Sequence, residues 1–289
     1  IEIYNDKNKN EKLLNFENSN NQLFSIIKNY QLHDVLNKNL FKNTYFKKIQ
    51  SKKKLIKTEK YNLIVNTEYN NAFTKKYFSK KIEKAYNSFA YTTVINHEKL
   101  SNQIAVQVFT KIGPLAFLPL SKNKTSIVYS IYNSRHVDRK KIIHLINQHN
   151  IKYKITKIEK IENFELKSLN LRSYYHNNIL AFGDLLHRIH PLAGQGFNMT
   201  IRDINVFINI IKNKIDLGLP LDSFVNYEFE KKTKHKNYIF SNSIDLVQEF
   251  FNFERNFNNN ILSNSIKILG KNRSINKLFT KLADKGINF

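Results

Sequence analysis

The sequence predicts an α/β protein made of a strand–loop–helix unit, a mainly antiparallel sheet and a helical C-terminus. Three observations carry that prediction. Between Asn178 and Ile215 a short apolar run, Ile179-Leu180-Ala181-Phe182, breaks at Gly183-Asp184 and crosses a loop stiffened by Pro191. It resumes after Gly194-Gln195-Gly196 with Phe197, Ile201, Ile204, Ile208, Ile211 and Ile215 at helical spacing, which predicts one buried helical face. Ala85 to Tyr132 reads as strands, with Ile104, Val106 and Val108 alternating as in a half-buried antiparallel strand. From Leu221 the pattern is that of amphipathic helices: Leu221, Phe224, Val225 and Phe229; Ile244, Val247, Phe250 and Phe251; Ile275, Leu278, Phe279 and Leu282.

In chain order, residues 1–22 read as an extended segment and an Asn-rich turn, and Leu23 to Ile27 as a short apolar strand. Asn29 is placed to cap a helix carrying Leu32, Val35, Leu36 and Leu40. A basic stretch leads to the apolar strand Tyr61 to Val65. Strands follow at Tyr91 to Ile95, Ile104 to Phe109, Gly113 to Leu120 and Ser126 to Tyr132, the third of them proline-bounded. Asp138 is placed to cap a helix through Ile142, Ile143, Leu145 and Ile146. Leu217-Gly218-Leu219-Pro220 stops the long central helix.

The chemistry concentrates at the central unit. Glycines just ahead of a helix let a ligand approach bare backbone, where the unpaired first-turn N–H groups favour negative charge. Asp184, at the carboxyl end of its strand, can accept two hydrogen bonds from sugar-like hydroxyls, although an aspartate there also commonly caps a turn. His187 and His190 have the H-x-x-H spacing of metal ligands. Pro191 breaks a helix through them and no third ligand cluster lies nearby, so they are expected to hydrogen-bond the loop backbone. Arg202 and Asp203 are expected to be helix-surface or helix-packing residues, although either could pair with the neighbouring domain.

The stretch Gly183, Asp184, His187, His190 to Gly196, Asn198, Arg202 and Asp203 resembles the flavin-dependent aromatic hydroxylases, most closely the branch that hydroxylates ubiquinone precursors. Gly113-Pro114-Leu115-Ala116-Phe117-Leu118-Pro119-Leu120 resembles a second stretch of the same family. The departures include Leu185 and Leu186 for two alanines, whose bulk could crowd a cofactor. Where the family has G-A-D-G-x-x-S-x-x-R, this chain has Asn66-Thr67-Glu68-Tyr69, then Ala72 and Lys75. Glu68 could stand in for the aspartate and Lys75 for the arginine, but Tyr69 replaces a glycine. None of the seven glycines forms the G-x-G-x-x-G turn that holds the FAD pyrophosphate in the family. The chain is therefore expected to be an N-terminally incomplete piece of a longer protein or a degenerate relative.

The resemblance implies an incomplete Rossmann-like FAD-binding domain interleaved with a mainly antiparallel substrate-side β-sheet. The implied divisions are 1–22 substrate-side strands, 23–80 part of the FAD-binding domain, 81–163 the substrate-side sheet, 164–220 the FAD-binding domain again, and 221–289 C-terminal helices. It implies FAD contacts at Gly183, Asp184, Pro191, Ala193, Gly194, Gln195, Gly196, Phe197 and Asn198, with Asp184 on the ribityl chain; no catalytic acid or base is identified. The implied reaction is monooxygenation of the ring of a polyprenylated phenol in ubiquinone biosynthesis, through a flavin C4a-hydroperoxide, with O2 as co-substrate and NAD(P)H or a reductase as electron donor. A cytoplasmic setting, peripheral to the inner membrane, and membership of a ubiquinone-biosynthesis complex are compatible with that substrate.

The formal net charge of +24 raises a nucleic-acid or anionic-membrane alternative. The charge is spread along a chain rich in Lys, Asn, Ile, Tyr and Phe, and no nucleic-acid recognition motif is visible, so nucleic acid is the disfavoured partner. The absence of cysteine excludes disulfides, thiolate metal sites and a cysteine nucleophile. No G-x-S-x-G elbow or phosphate-binding P-loop supports a hydrolase or nucleotide triphosphatase. A non-catalytic scaffold in a biosynthetic complex is the alternative from a different class.

Overall fold

The computed structural model describes residues 1–5, 8–17, 22–49, 58–132, 137–190 and 194–257. In chain order the elements are β1 (Glu2–Asn5), β2 (Asn8–Asn15), α1 (Asn29–Phe41), β3 (Ile64–Asn66), α2 (Ala72–Tyr77), β4 (Lys81–His97), β5 (Val106–Thr110) and β6 (Gly113–Ser121). They continue as β7 (Lys124–Tyr132), α3 (Arg139–His149), β8 (Ile155–Ile158), β9 (Glu162–Leu171), β10 (Tyr175–His176), β11 (Ile179–Ala181), β12 (His187–Arg188), α4 (Gln195–Asp216) and α5 (Ser223–Phe257). The fold is a mixed α/β one, with a large, mainly antiparallel sheet and a helical C-terminal part. The helical stretch predicted at Ile275 to Leu282 lies outside the described residues.

Among the described residues the large sheet runs β12-β9-β4-β7-β6-β5-β1-β2, with β8 also on β4; only β1 and β5 pair in parallel. Its centre follows from alternation. Along β5, Val106 and Val108 are buried while Gln107 and Phe109 are half-buried, and β6 and β7 contribute Leu115, Phe117, Ile127 and Tyr129 to the same face. α3 covers that face with Ile142 and Ile146, both fully buried. Gly113, at the start of β6, has φ 143°, and a Cβ there would stand 1.9 Å from the Ser130 carbonyl oxygen, so the β6–β7 approach admits only glycine.

A smaller sheet, β10-β11-β3, pairs β11 with β3 in parallel and β10 with β11 antiparallel. Over it sits a second core in which Phe182, Phe207 and Phe229 pack ring on ring, with centroids 5.4–5.8 Å apart. Those rings come from the end of β11, α4 and α5, so one aromatic cluster joins all three. Burying each such side chain contributes roughly 1.5–3 kcal/mol. Strand β9 pairs with β4 from Glu162 to Leu171, so the division drawn at 163/164 falls inside a strand of the large sheet.

Three local expectations are corrected. Residues 22–28 form no strand. α1 has Lys28, not Asn29, at its N-cap and buries no residue; Val35, Leu36 and Leu40 are exposed. α4 buries Met199, Asp203, Ile210 and Lys214, while Phe197, Ile201, Ile208 and Ile215 of the predicted buried face are exposed. The face packed by α5 is thus the more polar one. No helix among the described residues is long and apolar enough to cross a membrane.

Candidate functional site

Strand β11, paired Ile179↔Ile64 and Ala181↔Asn66 with β3, delivers the chain to Gly183. Gly183 has φ 66° and opens a 3-10 turn through Leu185, a conformation that disfavours side chains with a Cβ. Asp184 is exposed in this turn. Leu185 and Leu186 are buried in the Phe182 cluster. Their bulk therefore lies in the core beneath the turn, and the crowding expected of them on its open side does not arise.

The other bracket is Gly194, the N-cap of α4, with φ 65° and no side-chain cap. A Cβ on either Gly183 or Gly194 would meet nothing within 4 Å, so both stretches of bare backbone border open space. The turn carrying Asp184 packs against α4. The free N–H groups of the first helical turn favour an electronegative group. Gln195 is buried, yet its side-chain oxygen has no hydrogen-bond partner among the described residues. Gly196 is half-buried, Phe197 and Asn198 are exposed, and Pro191 and Ala193 lie outside the described residues. Gly183, Asp184, Gly194 and Gln195 together offer what a flavin with its polyol chain requires: an acceptor for hydroxyls, bare backbone for a flat ring, and uncapped donors for an electronegative edge.

A buried polar clamp holds this arrangement. His187 Nε2–H donates to Asp203 Oδ2 at 2.6 Å, with the two side chains 1% and 2% exposed. Asn237 Nδ2 donates to both oxygens of the same carboxylate, at 3.0 and 3.2 Å. The clamp ties β12, α4 and α5 together, and β12 is itself fixed to β9 through His187↔Asn170. His187 thus bonds a helix side chain where a loop-backbone partner was expected, and its Nδ1 has none.

His190 also departs from expectation. It is fully buried, and neither ring nitrogen has a hydrogen-bond partner among the described residues. Tyr86 meets it edge-on, centroids 5.1 Å apart. Burial lowers its pKa to about 4, so the ring is neutral at pH 7. Tyr86 reaches this position from an irregularity in the β4–β9 register, where Asn87 adopts φ 49°. Its hydroxyl donates to Asp245 of α5; burial first, and that carboxylate second, push its pKa up.

Near the end of β3, the segment aligned with the second fingerprint is a closed polar knot. Asn66 Nδ2 donates to Thr74 Oγ1 at 2.9 Å, and Asn71 caps α2 by accepting from Thr74 N–H at 2.8 Å. Glu68 and Lys75 are exposed. Tyr69 donates to Glu83 at 2.8 Å, and the Arg188 guanidinium stands 5.4 Å from its ring. Asn237, Tyr86 and Asp245 were not singled out by sequence. Asn237 has one signal, its place in the i, i+4 series Val225, Phe229, Thr233, Asn237 and Ser241, all of which are buried.

Residues 93–213 match the FAD binding domain family. Over 166 residues the chain is 30% identical to 3-demethoxyubiquinol 3-hydroxylase of Escherichia coli, a match covering 54% of this chain and 40% of that protein. It is 23% identical over 211 residues to the mitochondrial ubiquinone biosynthesis monooxygenase COQ6 of Caenorhabditis elegans, covering 57% and 47%. The chain thus spans less than half the length of these curated relatives. Among solved structures, pqsL of Pseudomonas aeruginosa, a probable FAD-dependent monooxygenase, superposes with TM-score 0.62 at 13% identity over 88% of this chain and 77% of that one. The chain is thus similar in sequence to these hydroxylases over part of its length, and it shares the fold of pqsL.

Proposed function

We propose that this chain forms the flavin-facing and substrate-side part of an FAD-dependent monooxygenase that hydroxylates the ring of a polyprenylated phenol. One observation carries the reading: Gly183 and Gly194 both have left-handed backbone and border open space, with exposed Asp184 between them and uncapped α4 donors beside them. Asp184 accepts hydrogen bonds from the ribityl hydroxyls. The first turn of α4 stabilises negative charge at the pyrimidine edge of the ring. Gln195 supplies a further polar contact from the buried side, and Phe197 and Asn198 line the approach. By the resemblance, Pro191 and Ala193 belong to the same cradle. When bound, reduced flavin supplies activated oxygen to an electron-rich ring; the protein positions the ring and excludes water.

The relatives' names supply the substrate class, and the large sheet is the wall on which that substrate lies. Oxygen is the co-substrate and NAD(P)H or a reductase the electron source. A second reading, a scaffold without turnover, is favoured by Tyr69, whose hydroxyl donates to Glu83 and whose ring meets Arg188 where the hydroxylase pattern has a glycine. Titration with FAD, followed by quenching of flavin fluorescence, tests the cradle. Wild-type chain is expected to bind, and Asp184→Ala to bind at least about tenfold more weakly, as loss of charge-assisted hydrogen bonds requires. Equal affinity of the two proteins would remove Asp184 from the cradle. Binding without hydroxylation of a prenylated phenol, with dithionite as electron source, would leave the scaffold.

A further inference from the structure

A second concavity lies away from this cradle and shares no residue with it. It is a cavity of about 570 Å³ between α5, the end of β9 and the start of β4, within the roughly 300–1,000 Å³ of small-molecule sites. One wall is a single face of α5, where Tyr227, Lys231, Lys234 and Tyr238 follow one another at spacings of four, three and four residues. The facing wall carries Arg172, just beyond β9, and Tyr174 closes the cavity.

The charges in this cavity do not cancel. Glu230 is satisfied within the protein: it accepts from the Tyr174 backbone N–H at 2.6 Å and from Lys234 at 2.9 Å. Arg172 and Lys231 make no ion pair among the described residues, and they belong to opposite walls. A guanidinium fork opposite an ammonium suits a dianionic phosphate, and the tyrosine rings offer flat apolar surface to whatever the phosphate carries.

We infer that this cavity binds an organic phosphate with an apolar or aromatic body, held by Arg172 and Lys231 and packed against Tyr227 and Tyr238. The phosphate belongs either to a soluble monoester or to a lipid headgroup.

Calorimetric titration of the whole chain with 1-naphthyl phosphate and with inorganic phosphate tests this, alongside flotation with phosphatidylcholine vesicles with and without phosphatidic acid. Saturable binding of 1-naphthyl phosphate, about tenfold or more tighter than inorganic phosphate, supports the site with a soluble ligand. Flotation only with phosphatidic acid supports it with a lipid source. In either case Arg172→Glu with Lys231→Glu is expected to weaken binding at least about tenfold at an unchanged unfolding midpoint. Arg172→Gln with Lys231→Gln is expected to weaken it in the same direction and serves if charge reversal perturbs the fold. Asp184→Ala is expected to leave it unchanged, which separates this cavity from the flavin cradle. Binding that survives both double substitutions, or no binding of either probe, overturns the inference.

Discussion

The residues that hold the candidate site in shape are not those that face its open space. Asp203 receives His187 and Asn237 where water is excluded, and a buried pair that loses one member leaves the other uncompensated. Asp203→Ala is therefore expected to cost about 3 kcal/mol in urea unfolding; a loss under about 1 kcal/mol would show that the clamp contributes no more than a surface contact. His190 makes a separate prediction through pH. Its folded pKa is about 4 against 6.5 for the free side chain, so below pH 6.5 the unfolded chain takes up a proton that the folded chain refuses. Stability is full above that value and falls as the pH drops towards 4. Between pH 7 and 5 this one group is expected to remove about 2 kcal/mol. Comparing urea midpoints of wild type and His190→Leu at the two pH values isolates the effect, and an equal acid loss in both would assign it elsewhere.

At the scale of elements, α4 separates what was legible from what was not. Its start after Gly194 and its stop at Gly218 were readable, because glycine at a left-handed position has a local cause. Its buried face was legible only in part: Ile204 and Ile211 pack against the second core, while Phe197, Ile201, Ile208 and Ile215 are exposed. Spacing selected the isoleucine stripe, but burial is decided by the neighbouring element, and α5 meets the stripe of Met199, Asp203 and Ile210. The polar seam of α5, Thr233, Asn237 and Ser241, carries no hydrophobic periodicity and so left no trace in a pattern built on apolar residues. The breaks at Gly183 and Gly194 were legible for the opposite reason: they rest on left-handed backbone and position in a strand–loop–helix unit. The two faces of α4 give a direct test. Ile210→Ala is expected to cost about 2–4 kcal/mol, and Ile208→Ala less than about 0.5 kcal/mol, in the same unfolding assay. Equal costs would mean that the isoleucine stripe is covered after all.

In the whole molecule, α5 is the strut that joins the core over the small sheet to α4 and to strands β9 and β4 of the large one. Phe229 enters the aromatic cluster over the small sheet, Asn237 completes the clamp on α4, Ser241 receives Asn170 of β9, and Asp245 holds Tyr86 of β4. A ligand that uses the β11 turn and the start of α4 together finds them assembled only when this strut is in place. Such a ligand binds the folded chain and not the unfolded one, so it must raise the unfolding free energy, by about 2.7 kcal/mol at a hundredfold excess over its Kd. On the proposed function, the cradle of Gly183, Asp184 and Gly194 would serve the ring and the ribityl chain, and no G-x-G-x-x-G turn for a pyrophosphate occurs in the sequence. FMN and riboflavin are accordingly expected to raise the thermal midpoint as FAD does at equal concentration, with affinities within about tenfold of one another. If FAD alone stabilises the chain, the adenosine diphosphate half carries the binding, and the cofactor is held by residues other than Asp184 and the start of α4.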